Sequence, residues 1–172
     1  MRHAVSDPSE THKTVVVCET QNGPFQVEIT SGGLSFLADQ SPAVGGRGGG
    51  PDPYDLLCGA LGACTSMTVR LFADQRTWPL SRVRVAVTYL GKNGTNQECF
   101  ERILALDGDL TADQRSQLLA IAEGCPVHVA LTGRCAVATS FGDTGNAEEE
   151  ARSVLNDHFI AMQARMRTSG SE

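Results

Sequence analysis

The chain has 172 residues and a net charge of −6, with 41% apolar and 20% charged residues. These values fit one ordinary globular domain with enough core to fold alone. No basic stripe interrupts the acidic balance, which argues against a nucleic-acid surface. No apolar run approaches the length needed to span a bilayer. The polar start MRHAVSDPSETHK lacks the apolar segment of a signal peptide. The sequence therefore predicts a cytoplasmic protein that engages no membrane. Six cysteines stand at 18, 58, 64, 99, 125 and 135. A chain of this size needs no disulfide staples, and no CxxC pair suggests a zinc ribbon or a thioredoxin-like motif.

Residues 1–13 read as a flexible tail. Residues 14–20, rich in β-branched side chains, predict a strand. Gln21-Asn22-Gly23-Pro24 marks a turn. Residues 25–30 alternate apolar and polar with period two, as a half-buried strand does. Ser31-Gly32-Gly33 turns the chain into a third strand at LSFLAD, completing an antiparallel meander. Residues 39–51 carry five glycines. GGRGGG lacks the spacing of a phosphate-binding loop, so the plain reading is a mobile connection into the next helix.

Residues 51–76 predict a long central helix. Asp52 is placed to cap it, Pro53 to open it, and Asp55 to face the positive end of its dipole. Its apolar positions, from Leu57 through Leu61, Cys64 and Met67 to Phe72, span a face wide enough for burial on most sides. Gly59, Ala60, Gly62 and Ala63 are small and let another backbone approach Cys64. Pro79 stops the helix.

Residues 82–90 alternate, with Val83, Val85, Val87 and Tyr89 on one side. A hairpin loop at 91–97 leads to a partner strand at 98–106, whose apolar surface comes from Phe100, Ile103, Leu104 and Leu106. Thr111 and Gln114 form a capping box for a second helix. Its buried face is marked by Leu118, Leu119, Ile121, Ala122 and Cys125. Gly124-Cys125-Pro126 breaks that helix, a short helical piece follows at VHVAL, and residues 134–141 predict a last strand. Residues 142–172 read as a linker and an amphipathic helix striped by Leu155, Phe159, Met162 and Met166.

A cysteine within a buried helix is usually a small hydrophobe. Cys64 stands out because its neighbours are small, and because a second cysteine, Cys125, sits at a break that fixes its backbone. The stretches GGPDPYDLLCGALGACTSM and CPVHVAL resemble the OsmC/Ohr family of thiol-dependent hydroperoxide reductases. The resemblance rests on Pro53, Asp55, Leu56 and Leu57, on Cys64 nine residues after the acid, and on Cys125-Pro126 about sixty residues later. Pro-Tyr-Asp-Leu-Leu and the Arg-x-x-Ala-Asp run from Arg70 to Asp74 place it nearest an OsmC-like branch.

What the resemblance implies is an α+β domain over residues 14–141: an antiparallel sheet with a long buried central helix, in an intertwined homodimer with active sites at the subunit interface. It implies a peroxidase active on organic hydroperoxides. Cys64 would be the peroxidatic residue and Cys125 the resolving one. The reductant would be an external thiol such as dihydrolipoamide or a small thiol, with no bound cofactor and no metal. Well-known members carry an arginine from the N-terminal strands, but residues 14–38 contain none. Arg47 in the glycine loop or Arg102 from a strand are the substitutes. Asp55 is either a catalytic-site residue, the helix acid that orients such an arginine, or simply a first-turn cap. Tyr54, Leu57, Leu61 and Met67, with His128, are the expected pocket lining. His128 could alternatively complete a Cys64–Cys125–His128 metal site, although a fourth ligand is missing at the right spacing. A second functional reading keeps the fold and pocket as a small-molecule binding or redox-sensing module without turnover.

Overall fold

The computed structural model describes residues 14–133, 135–142 and 144–152. They divide into two compact units, one holding the chain up to Pro51 and resuming at Ser140, the other running from Asp52 to Thr139.

The first unit is built on a meander of β1 (Val16–Glu19), β2 (Val27–Ser31) and β3 (Leu34–Ala38), paired in that order and antiparallel. Gly32 and Gly33 both adopt positive φ, 57° and 75°, and make a two-residue hairpin whose twist matches the strands. The glycine-rich stretch is not the loose connection its composition suggests. Its backbone folds around the buried carboxylate of Asp39, which accepts N–H bonds from Gln40 at 2.8 Å, Arg47 at 3.1 Å and Gly49 at 3.1 Å. Burial, the largest influence, pushes Asp39 up, but these donors and the Arg47 charge together hold it below its ordinary value. Two of the glycines are required by close approach. A Cβ on Gly46 would lie 1.9 Å from the Gln40 carbonyl oxygen, and one on Gly50 would lie 2.2 Å from that of Leu37. Helix α4 (Gly145–Arg152) packs on β1 and β2. The expected apolar stripe beyond it, Leu155 to Met166, lies outside the described residues, as does the N-terminal tail.

The second unit contains α1 (Pro53–Gln75), the hairpin of β4 (Leu80–Lys92) and β5 (Glu98–Gly108), α2 (Ala112–Glu123) and α3 (Pro126–Thr132). The start of α1 is as its sequence dictates. The Asp52 side chain accepts from the amides of Tyr54 and Asp55, and the Asp55 carboxylate accepts from the amide of Asp52. The same reciprocal box joins Thr111 and Gln114 at the start of α2. Strands β4 and β5 pair Val83 with Leu106, Val85 with Leu104, Val87 with Arg102 and Tyr89 with Phe100. That row faces α1. Ile103, expected to join it, points outward and is 61% exposed, because strand alternation allows only one parity on a face. Leu119 of α2 is likewise outward.

The main core of this unit joins Val69, Ala73, Leu80, Leu110, Leu118 and Ala122. A smaller cluster holds Leu61, Cys64 and Cys125, with Val87, Phe100 and Val127 against it. Burial of α1 is narrower than its composition suggests. Leu61, Cys64, Thr65, Thr68, Val69 and Ala73 are buried, whereas Tyr54, Leu57 and Met67 are exposed on this chain. The expectation about bilayer length needs correcting too. With 23 residues and a mean hydropathy of 1.5 in its most apolar window, α1 is long and apolar enough to cross a membrane by length and composition. Here its apolar face packs on β4, α2 and α3.

The last expected strand does not form. Residues 135–142 have no regular structure, and Val137 is 87% exposed. β-branched alternation makes a strand only where another edge takes up its backbone groups, and no strand among the described residues pairs with this segment.

Candidate active site

Cys64 projects from the buried face of α1, and Cys125 is the residue that caps α3. Gly124 ends α2 and Pro126 opens α3, so the helix breaks at Cys125, whose side chain is fully buried. The two thiols, 61 positions apart in sequence, meet in one apolar cluster and interact with each other. Both are free thiols. Burial is the main influence on Cys64 and pushes its thiol up. The Cys125 sulfur adds to this, while the Val127 amide and the Thr68 hydroxyl oppose it.

Cys125 is wholly enclosed, and its partners are polar. The amide of His128 donates to its sulfur at 3.4 Å, and the Thr65 hydroxyl lies at 3.5 Å. Nη1 of Arg102 donates toward the same sulfur at 3.9 Å, to Thr65 Oγ1 at 2.9 Å and to the Ala122 carbonyl at 3.1 Å. Its Nη2 is bound to Glu123 Oε1 at 2.7 Å. The Arg102 side chain is only 8% exposed. The other oxygen of Glu123 lies 3.3 Å from Nε2 of His128.

This polar cluster forms one wall of a cavity of about 720 Å³. Arg102, Glu123 and His128 line one part, and Tyr54, Leu57, Leu61, Phe100 and Leu131 give the apolar part. Leu61 belongs both to this wall and to the cysteine cluster. Tyr54 stacks on Tyr89 with ring centroids 4.0 Å apart, and Tyr89 in turn leans on Phe100.

Of the expected pocket residues, Tyr54, Leu57, Leu61 and His128 line the cavity. Met67 does not. It lies two positions, and so about 200° of helix rotation, from the buried Thr65, and is 52% exposed. Asp55 serves the capping box. Helix α1 runs unbroken from Pro53 to Gln75, so nine residues set Asp55 about half a turn away from Cys64. Arg47 belongs to the first unit, where its guanidinium bonds Asn22 Oδ1 at 2.6 Å. The arginine that reaches the cysteine pair is Arg102. His128 meets Cys125 through its backbone amide and turns its ring to Glu123, an arrangement unlike a shared metal site. Among the described residues no group of three or more His, Cys, Asp or Glu side chains is placed to hold a metal ion. Glu123 and Cys99, which line the cavity, and Thr65, which is buried against Cys125, carry no motif in the sequence; Thr65 follows Cys64 on the buried face of α1, the one signal that points to it.

The profile of the OsmC-like protein family matches residues 46–140, more than half of the chain and all of the elements that build this site. The chain belongs to the OsmC-like family. Solved structures of that fold resemble it at low identity. The OsmC-like protein from Mycoplasma pneumoniae is 15% identical, with a TM-score of 0.62 over 72% of this chain and 89% of that one. An organic hydroperoxide resistance protein, OsmC, from Legionella pneumophila is 23% identical, with a TM-score of 0.55 over 72% and 90%. The organic hydroperoxide resistance protein OhrB of Bacillus subtilis is 20% identical, with a TM-score of 0.51 over 72% and 92%. No curated protein sequence matches the chain.

The raised thiol of Cys64 has a direct consequence in this OsmC-like site. The thiolate is the reactive form, so alkylation of Cys64 by iodoacetamide is expected to keep rising with pH through and beyond about 9, the ordinary thiol value. Peptide mass spectrometry of the reduced protein reads Cys64 separately from the other thiols. A plateau below neutral pH would contradict the burial argument.

Proposed function

We propose that the protein is a thiol-dependent peroxidase that reduces organic hydroperoxides in oxidative-stress defence. The observation that carries this reading is the meeting of Cys64 and Cys125 in one apolar cluster beside a cavity of about 720 Å³. The Cys64 thiolate attacks the distal oxygen of ROOH. The O–O bond breaks, ROH leaves with a proton, and Cys64 becomes a sulfenic acid. The Cys125 thiol then attacks that sulfur and expels water, leaving a disulfide. Such a bond needs Cα atoms within about 7 Å, which their shared cluster supports. An external thiol or dithiol, of the dihydrolipoamide type, returns the pair to the reduced state without a bound cofactor. The apolar lining of Leu57, Leu61, Phe100 and Leu131 favours an organic R group over hydrogen peroxide. The fold neighbours named as organic hydroperoxide resistance proteins agree with this reading.

The proposed working form is a cytoplasmic homodimer with its active sites at the interface. The exposed Tyr54, Leu57 and Met67 of α1 are apolar surface that a second subunit would cover. Reduced wild-type protein treated with one equivalent of cumene hydroperoxide is expected to lose two of its six thiols and the mass of two hydrogens. Thiol loss no faster than that of free cysteine would end the peroxidase reading. One observation favours the second reading, a binding or redox-sensing module: burial raises the Cys64 thiol instead of activating it. In that case the cavity holds a ligand, or the thiols sense oxidation, without peroxide turnover.

A further inference from the structure

We propose that Arg102 sets the direction in which the oxidised cysteine pair is reduced, by holding Cys125 as the sulfur that departs as thiolate. This inference rests on the cysteine-pair chemistry above, though not on peroxide as the oxidant. In the first step an external thiolate attacks Cys64 Sγ, the Cys64–Cys125 bond breaks, and its electron pair goes to Cys125. The product is a mixed disulfide on Cys64 and a Cys125 thiolate. A second thiolate then attacks the external sulfur of that mixed disulfide and releases Cys64, which takes up a proton.

Two independent features select this direction. The first is access. Cys125 is 0% exposed and Cys64 6% exposed, and Cys64 packs on Leu61, a residue of the cavity wall. An incoming thiol in the cavity therefore approaches Cys64. The second is the leaving group, since exchange is faster when the departing sulfur is better stabilised as an anion. Arg102 places Nη1 at 3.9 Å from the fully buried Cys125 Sγ. With 8% of its side chain exposed, the guanidinium is less screened than a surface charge, so it acts at greater strength. Arg102 also donates to Thr65 Oγ1, which leaves the Thr65 hydroxyl hydrogen free to turn toward the same sulfur at 3.5 Å. Charge and hydroxyl thus converge on one of the two sulfurs. Glu123, on the far side of the guanidinium, holds it in place and offsets part of its charge.

The test uses full-length protein oxidised with diamide, so that it does not depend on peroxide turnover. Oxidised wild type, Arg102→Gln, Arg102→Lys and Glu123→Gln proteins are mixed with glutathione, quenched with acid and N-ethylmaleimide, and mapped by peptide mass spectrometry. In wild type the glutathione is expected on Cys64 and the maleimide on Cys125. Arg102→Gln is expected to slow reduction by roughly tenfold or more, with attack still on Cys64. Arg102→Lys should recover much of the rate, because it keeps a cation near the sulfur. Glu123→Gln should reduce as fast as wild type or faster, since it unmasks the arginine charge. A merely structural arginine gives a different pattern. Its removal would open the site, speed reduction, and spread glutathione over both sulfurs. That pattern, glutathione on Cys125 in wild type, a slower Glu123→Gln, or no Cys64–Cys125 peptide after diamide would each overturn the proposal.

Discussion

Cys64→Ser is expected to lower the rate of hydroperoxide consumption by more than about a thousandfold, because a hydroxyl is a far weaker nucleophile than a thiolate at neutral pH. Cys125→Ser is expected to behave differently. It should still react once with cumene hydroperoxide, retain a sulfenic acid on Cys64 that dimedone traps, and then stop. The difference follows from placement: Cys64 keeps 6% exposure and packs on Leu61 of the cavity wall, whereas Cys125 is fully buried behind Arg102 and Thr65. Peroxide consumption by stopped flow, with intact mass after dimedone, measures both. Equal rates in Cys64→Ser and wild type would remove Cys64 from the chemistry and turn attention to ligands for the cavity. The four remaining cysteines, at 18, 58, 99 and 135, are in each variant and serve as an internal background.

The second large effect concerns stability. Leu118 is completely buried and packs with Val69, Ala73, Leu80, Leu110 and Ala122, where α2 meets α1 and the start of β4. Leu118→Ala removes that packing and leaves a cavity, at an expected cost of about 3 kcal/mol. In a chain of this length the loss should lower Tm by roughly 6–12 °C. Leu119→Ala is the control, since Leu119 is 57% exposed and touches none of that core. Differential scanning calorimetry of the pair checks the result. Equal shifts in both variants would mean that the main core is not where these contacts place it.

Local chemistry made much of the fold legible. The caps of α1 and α2 depend on side chains within three residues of each other, Asp52 with Asp55 and Thr111 with Gln114, so the sequence alone displays them. The inward row of β4 could be read from its alternation. Features that depend on distant partners were harder. The apolar width of α1 records how much greasy surface there is, but says nothing of which part a neighbouring element covers; Met67 shows the difference. Residues 135–141 carry strand-like side chains without a paired edge. Asp39 gathers the glycine loop across intervals of eight and ten residues, and no motif announces that.

The site was half visible. The cysteine pair rested on resemblance, and its meeting in space is a product of the α2–α3 break. The arginine was the less legible part. Arg102 was one of two candidates, and its parity with Phe100, Leu104 and Leu106 already placed it on the inward face. A charged residue in an apolar row is easily passed over in favour of a neighbour such as Ile103. Glu123 left no trace in sequence, because its role as a bridge between Arg102 and His128 exists only after α2 and β5 are packed.

Cys125 follows the Gly124 that ends α2 and opens α3 with its sulfur atom, to which the amide of His128 donates. The strength of such a bond follows the charge and lone-pair direction of its acceptor. When Cys125 gains charge the bond shortens; when it joins a second sulfur its acceptor direction turns. The amide proton of His128 is therefore a built-in spectroscopic probe. Its resonance in a nitrogen-15 correlation spectrum should shift with each chemical state of Cys125, so the protein carries its own label and needs no dye or reporter group to follow the cycle.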